Sequence, residues 1–245
     1  MTNQDAFIQC LSKMQKPARR ILLSPGEPGQ IPRTKVSGIP WWPKTCSRPT
    51  CSHGHLMSFM LQILLSDVPT HKMTTDHLLS FHYCTQCMYD GKMAWGFPDI
   101  ENRSYDVRVF EIVGATEADG LGVVGEATLP TSTVTLSDYL EVPSVDDMPE
   151  ALQASLPEDY FQGGDYDESD YRGMIHRPTC KIGGWPSWVQ SPEWPTIGGR
   201  KLDFICQIDA IVGERSAWGG GGHAYLFITP PGVSPRTGEL LIQTT

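Results

Sequence analysis

No stretch of this sequence approaches the about eighteen consecutive apolar residues that a membrane-crossing helix needs. Its opening, MTNQDAFIQCLSKMQKPARRILL, lacks the basic stretch, apolar stretch and small-residue cleavage site of a secretion signal. A cytoplasmic protein with no membrane partner is therefore expected. Positive charge is also scarce: 19 Lys and Arg face 28 Asp and Glu, for a net charge of −9. Such a chain has no general basic face for phosphates, which argues against direct nucleic-acid binding and is compatible with a basic protein partner. Catalytic signatures are missing as well. There is no G-x-S-x-G, H-E-x-x-H or H-x-E…C-x-x-C pattern. The glycine-rich AWGGGGHAY, residues 217–225, has neither the GK[ST] ending of a phosphate loop nor dinucleotide-fingerprint spacing. It reads as a loop before a strand; an enzyme reading would rest on His223, with no nucleophile or paired carboxylate placed beside it.

The chain does have seven cysteines, an odd number, in 245 residues. Without a secretion signal a disulfide framework is not expected, and clustered pairs point to metal. Cys46-x4-Cys51 precedes one apolar run and Cys84-x2-Cys87 follows the next. Two short-spaced pairs flanking a hairpin-like segment are how a zinc ribbon gathers four thiolates. A structural zinc on Cys46, Cys51, Cys84 and Cys87 is the expected cofactor, with free buried thiols or a redox pair as alternatives. His53, His55 and His82 stand close enough in sequence to replace one thiolate. Acid is unevenly placed: residues 141–171 hold ten Asp or Glu and no Lys or Arg. That stretch is either a solvated loop or an arm that docks on a basic surface.

The sequence also repeats itself. GIPWWP (residues 38–43) is echoed by GGWPSW (183–188), MSFMLQI (57–63) by LDFICQI (202–208), and HLLSFHY (77–83) by HAYLFIT (223–229). Gly38 to Gln62 spans 24 positions and Gly184 to Gln207 spans 23. Three echoes in one order at near-identical spacing read as an internal duplication. The apolar and alternating runs, with YDVRVFEIVG (105–114), LGVVGEATLP (121–130) and ELLIQTT (239–245), read as strands cut short by 20 prolines and 24 glycines. Residues 2–15 carry Phe7, Ile8, Leu11 and Met14 on a helical stripe. Residues 144–157 allow a second short helix capped by Ser144. Gln62 and Gln207, each inside an apolar run, are expected to bridge strand and loop backbone or to sit exposed. The second repeat lacks the cysteines and must hold by packing, with Trp185, Trp188 and Trp194 as candidates.

The fold class expected is mainly β, a β-rich α+β chain of two related sheet repeats, one with a zinc-ribbon-like four-cysteine site. The segments are an N-terminal helical stretch (1–35), a first repeat with the zinc site (36–140), an acidic linker or arm (141–177) and a second repeat (178–245). The repeated G-x-P-x-W entry, the Cys pair, MSFMLQI, FHYCTQC and KIGGWPSWVQSPEWP…LDFICQID…GGGGHAYLFI resemble the YwqG-like family, domain of unknown function 1963. They are similar also to its eukaryotic relatives, the programmed-cell-death-protein-2 and ribosome-maturation proteins that share the TYPP domain. The resemblance covers residues 36–95 and 178–245 and departs at Cys46-x4-Cys51, where relatives more often show Cys-x2-Cys.

That resemblance implies no established catalysis. It implies a duplicated β-rich module that binds another protein, as an escort of a ribosomal protein in eukaryotic relatives and among toxin-immunity genes in bacterial ones. The expected function is a non-enzymatic immunity protein that occludes the active surface of a cognate toxin. Asp159, Asp165, Asp167, Glu168 and Asp170 with Trp185 and Trp188 are the candidate partner contacts, and the cleft between the repeats is another. The alternatives are an escort of a basic ribosomal or nucleic-acid-binding client, and an enzyme at the His223 loop.

Overall fold

Helix α1, Asn3–Lys13, opens the chain, with Phe7 and Leu11 buried against Val142, Met148, Leu152 and Tyr160. The computed structural model describes residues 3–26, 32–70, 76–89, 104–113, 115–117, 132–157, 160, 178–209, 222–232 and 237–244. Lys16–Pro25 (β1) is a strand, although the sequence pattern grouped it with a helical N-terminal segment. Pro17 has no N–H to continue a helix, and β1 pairs over its whole length with β8 (Ser132–Glu141). The remaining strands of the main sheet are β2 (Lys35–Val36), β4 (Ser58–Leu64), β5 (His77–Tyr83), β6 (Tyr105–Glu111), β9 (Lys181–Gly183), β12 (Asp203–Asp209), β13 (His223–Ile228) and β14 (Gly238–Gln243). Small two-stranded sheets pair β3 (Trp41–Pro43) with β7 (Ala115–Glu117), and β10 (Thr196–Ile197) with β11 (Arg200–Lys201). The protein is mainly β, as expected.

Ten antiparallel strands run in the order β14-β13-β12-β9-β1-β8-β2-β4-β5-β6. β4 and β12 lie inside this sheet and are buried on both faces, which is why they read as continuous apolar runs. The sheet curls until its ends meet. Tyr105 of β6 donates its hydroxyl to Glu239 Oε2 of β14 at 3.1 Å. Gly238 lies so close to β6 that a Cβ there would stand 2.2 Å from Val107 Cγ1. The near-closed sheet wraps one apolar core that joins Leu61, Ile63 and Phe81 to Ile205, Leu226 and Ile242.

The order is the same read outward from the β1–β8 pair in either direction. Lys35 pairs in register with Gln62 and Lys181 with Gln207, and all four are buried. β4 slips register between Phe59 and Leu61, and β12 between Phe204 and Cys206. Left-handed backbone begins two residues after each lysine, at Ser37 (φ 60°) and Gly38 (77°), and at Gly183 (70°) and Gly184 (72°). Both glutamines bridge strand and loop. Gln62 Oε1 accepts from Trp41 N at 2.8 Å and its Nε2 donates to Arg33 O at 2.8 Å. Gln207 Oε1 accepts from Ser187 N at 2.8 Å.

The acidic stretch begins inside the fold. Glu141 closes β8, a 3-10 turn covers Val145–Asp147 and α3 covers Glu150–Gln153. Ser144 does not cap a helix; its hydroxyl donates to Asp147 Oδ2 at 3.2 Å. Residues 121–130 lie outside the described residues.

Candidate metal centre

The loop before β4 and the short helix α2 (Thr85–Tyr89) after β5 meet at one end of the first half. The β4–β5 pairing brings them together, since Ser58 stands opposite Tyr83. Cys51 N donates to His55 O at 2.9 Å and Gly54 N to Cys51 O at 2.9 Å, so the Cys51–His55 loop turns back on itself. Gly54, at φ +79°, supplies the left-handed residue that this turn needs. On the other side Cys84 N donates to Ser104 O at 2.7 Å, and Cys87 N reaches Cys84 Sγ at 3.4 Å. The Ser58 and Thr85 hydroxyls join the two sides at 3.0 Å.

The result is a group of four donors, Cys51, His55, Cys84 and Cys87, whose ligand atoms all lie within 4.8 Å of one another. Cys51 Sγ to Cys87 Sγ is 3.6 Å, Cys87 Sγ to His55 Nδ1 3.4 Å and Cys84 Sγ to His55 Nδ1 3.9 Å. A tetrahedral zinc with the usual metal–sulfur and metal–nitrogen lengths has S···S edges of about 3.8 Å and S···N edges of about 3.6 Å. These three separations lie within about 0.4 Å of those edges, and the four donors could hold a metal ion. The electrostatics agree with that fit. Burial, then the neighbouring Cys84 and Cys51, push the Cys87 thiol up to about 12. Burial also raises Cys84. Burial opposes ionisation of Cys51 too, but bonds to its sulfur from the His55 and His53 backbone and from the other two thiols leave it net lowered. Three thiols this close resist ionising together unless a cation compensates them.

Of the four cysteines read from the sequence, the structure gathers three. Cys46 is exposed and outside the group. Its N–H donates to Pro43 O at 3.0 Å and its carbonyl accepts from Trp42 Nε1 at 3.0 Å, which ties this residue to the tryptophan loop. His55 takes the fourth corner. The signal was present, since Cys51-x3-His55 falls within finger-type ligand spacing. His53 Nδ1 lies 3.4 Å from Cys87 Sγ but does not belong to the compact group. His82 is elsewhere, buried between Trp42 (5.0 Å) and Phe59 (5.4 Å). Burial, with Arg108 and Arg48 adding, lowers its pKa to about 3 and keeps it neutral.

Among the candidate partner contacts, Asp159, Asp165, Asp167, Glu168 and Asp170 lie outside the described residues. Two acids of the same stretch are internal struts. Glu141 accepts from Lys181 Nζ at 2.5 Å and from Trp185 N at 2.9 Å. Asp147 accepts from the indoles of Trp188 and Trp194, at 2.6 and 2.7 Å. Trp185 is half-buried and donates its own indole N–H to Met14 O at 3.0 Å, under the Lys16 ammonium 3.4 Å from its ring. Trp188 and Trp194 pack on Phe227 and Phe204 neighbours as a cluster on the outer face of the second half. His223 starts β13 opposite Asp209 and Gln243. Burial lowers its pKa, against the opposing charge of Asp209.

A cleft of about 670 Å³ opens where β6 faces β14, with Trp42 and Cys46 on its wall. Among the described residues, no helix is long and apolar enough to cross a membrane. A family model described as a domain of unknown function (DUF1963) matches residues 34–235, a span that runs from β2 to just beyond β13 and includes the acidic segment. No curated protein matches the chain.

Proposed function

The chain belongs to the DUF1963 family, and from that premise we propose that it is a non-enzymatic protein-binding module with one structural zinc. The observation that carries this reading is the group of Cys51, His55, Cys84 and Cys87. Four protein donors complete a tetrahedron and leave no open position for a reacting water, so the ion staples the β4–β5 end of the barrel. Three sulfurs and one imidazole nitrogen are a soft set that suits zinc over magnesium or calcium. An internal duplication accounts for the matched lysine, glutamine and register shifts of the two halves.

The partner is a basic protein surface. With a net charge of −9, the chain complements a protein built to hold phosphates. A toxin domain that acts on nucleic acid has such a surface, and covering it neutralises the toxin. Location in the cytoplasm, where such a toxin would act, belongs to the same proposal. An escort of a basic ribosomal client would use the same complementarity. The test is a titration of a purified basic toxin domain against the zinc-loaded protein and against Asp165→Lys/Asp167→Lys/Asp170→Lys. Binding that weakens on charge reversal and falls with salt supports the reading; unchanged affinity removes the acidic segment from it. Co-purification of a ribosomal protein in place of a toxin selects the escort.

A further inference from the structure

β6 and β14 abut where Tyr105 bonds Glu239 at 3.1 Å and where Gly238 meets Val107. The cleft of about 670 Å³ is a recess beside that contact. Its volume falls in the range of about 300–1,000 Å³ that binding pockets occupy. Among the described residues, three charged side chains line it, Asp106, Arg108 and Glu239. They differ in what already compensates them. Asp106 and Arg108 hold each other through two bonds, of 2.7 and 3.0 Å, and the guanidinium also lies 5.4 Å from the Trp42 ring. Glu239 has no cation among the described residues; its carboxylate receives one neutral donor, the Tyr105 hydroxyl, on Oε2. A carboxylate offers about four acceptor positions, so most of this one is unused. Glu239 is half-buried, and a cation brought to it there gains more than it would in bulk water. Pro43, Val109 and Phe110 add apolar lining, which suits the methylene stem of a long basic side chain.

We propose that this recess receives one arginine side chain of the protein partner, with its guanidinium on Glu239 and its stem against the apolar lining. The inference rests on the protein-binding reading above and names the side chain by which the partner is held. Arginine suits the recess better than lysine, because its planar fork gives two parallel bonds to one carboxylate while Tyr105 keeps a third. Guanidinium is also more weakly hydrated than ammonium, so less is lost on leaving water. Asp106 compensates Arg108, so the net charge that the incoming guanidinium meets is that of Glu239. Glu239 belongs to β14 and the facing wall to β6, so one bound arginine also bridges the two ends of the main sheet.

The probe is acetyl-arginine-N-methylamide, with the citrulline analogue, which has the same shape and no charge, as control. Cys46 is exposed and stands on the cleft wall, so its alkylation by iodoacetamide reports occupancy, with exposed Cys10 as internal reference. On the zinc-loaded full chain, the arginine compound should slow Cys46 about threefold or more, half-saturating on the order of 1 mM for so few contacts. Cys10 should be unaffected, and the citrulline compound should act about tenfold more weakly or worse. Glu239→Gln keeps an acceptor for Tyr105 and removes the charge, and should weaken the arginine effect by a similar factor of about ten. The citrulline comparison decides the matter if that variant folds poorly. No slowing of Cys46, equal slowing by both compounds, or full slowing in folded Glu239→Gln overturns the recess. A basic toxin domain that binds Glu239→Gln as tightly as the parent chain overturns the recess alone, leaving the protein-binding reading in place. Slowing by the arginine compound with no basic protein bound overturns the protein-binding reading, and with it the partner's arginine.

Discussion

Replacing Lys181 by methionine should destabilise the protein severely, for a reason set by the surroundings of one carboxylate. Lys181 and Glu141 have side chains 0% and 2% exposed and meet at 2.5 Å. The lysine also donates to Ser187 Oγ at 2.6 Å, and the carboxylate accepts Trp185 N. Water cannot take the place of either partner there. Lys181→Met conserves volume, so the loss is electrostatic: the Glu141 charge stays buried with its cation gone, at a cost of about 3–5 kcal/mol. For a chain of this size that lowers the melting temperature on the order of 10 °C. Lys181→Met/Glu141→Gln keeps an acceptor for Trp185 N and removes the stranded charge. It should recover at least half of the loss, because a buried pair replaced as a whole is near neutral. Urea unfolding at fixed zinc gives both numbers. A cost under about 1 kcal/mol for the single variant, or a double variant as unstable as the sum of the singles, would refute the reasoning.

Zinc content by atomic absorption separates the cysteines: Cys46→Ser should retain about one ion per chain, while Cys84→Ser should lose it. Gly184→Ala, at φ +72° with a Cβ 2.2 Å from Glu141 Oε2, should displace the carboxylate and cost as much as Lys181→Met by urea melts. Gly54→Ala, at φ +79° with nothing within 4 Å, should cost only about 1 kcal/mol of backbone strain. His223 has a pKa lowered in the folded state, so unfolding takes up a proton. The stability it contributes is present above its ordinary value of about 6.5 and is lost as pH falls below it. His223→Phe should flatten that part of the stability–pH curve, and an unchanged curve would show that the imidazole is not held neutral.

The sequence alone determined several of the elements in kind. Runs such as MSFMLQI and LDFICQI become β4 and β12 because strands buried on both faces must be apolar throughout. The stripe of Phe7, Ile8, Leu11 and Met14 becomes α1 because only a helix puts those positions on one face. Gln62 and Gln207 were legible as bridges because an amide inside an apolar run has to find partners. Cys84 and Cys87 were legible from a spacing short enough for the chain itself to aim both sulfurs.

Tertiary structure decided the rest, wherever the deciding contact joins residues far apart in the chain. Lys16–Pro25 pairs with residues 132–141, and no local pattern reports that partner. Glu141 and Asp147 look like members of an acidic loop until β9 and the tryptophan loop bring Lys181, Trp188 and Trp194 to them. The choice of His55 over Cys46 was also tertiary. Both lie near Cys51 in the chain, but only the 51–55 turn faces α2 across the β4–β5 pair, while Cys46 stays with Trp42. Spacing can propose ligands; the fold selects those that reach one point in space.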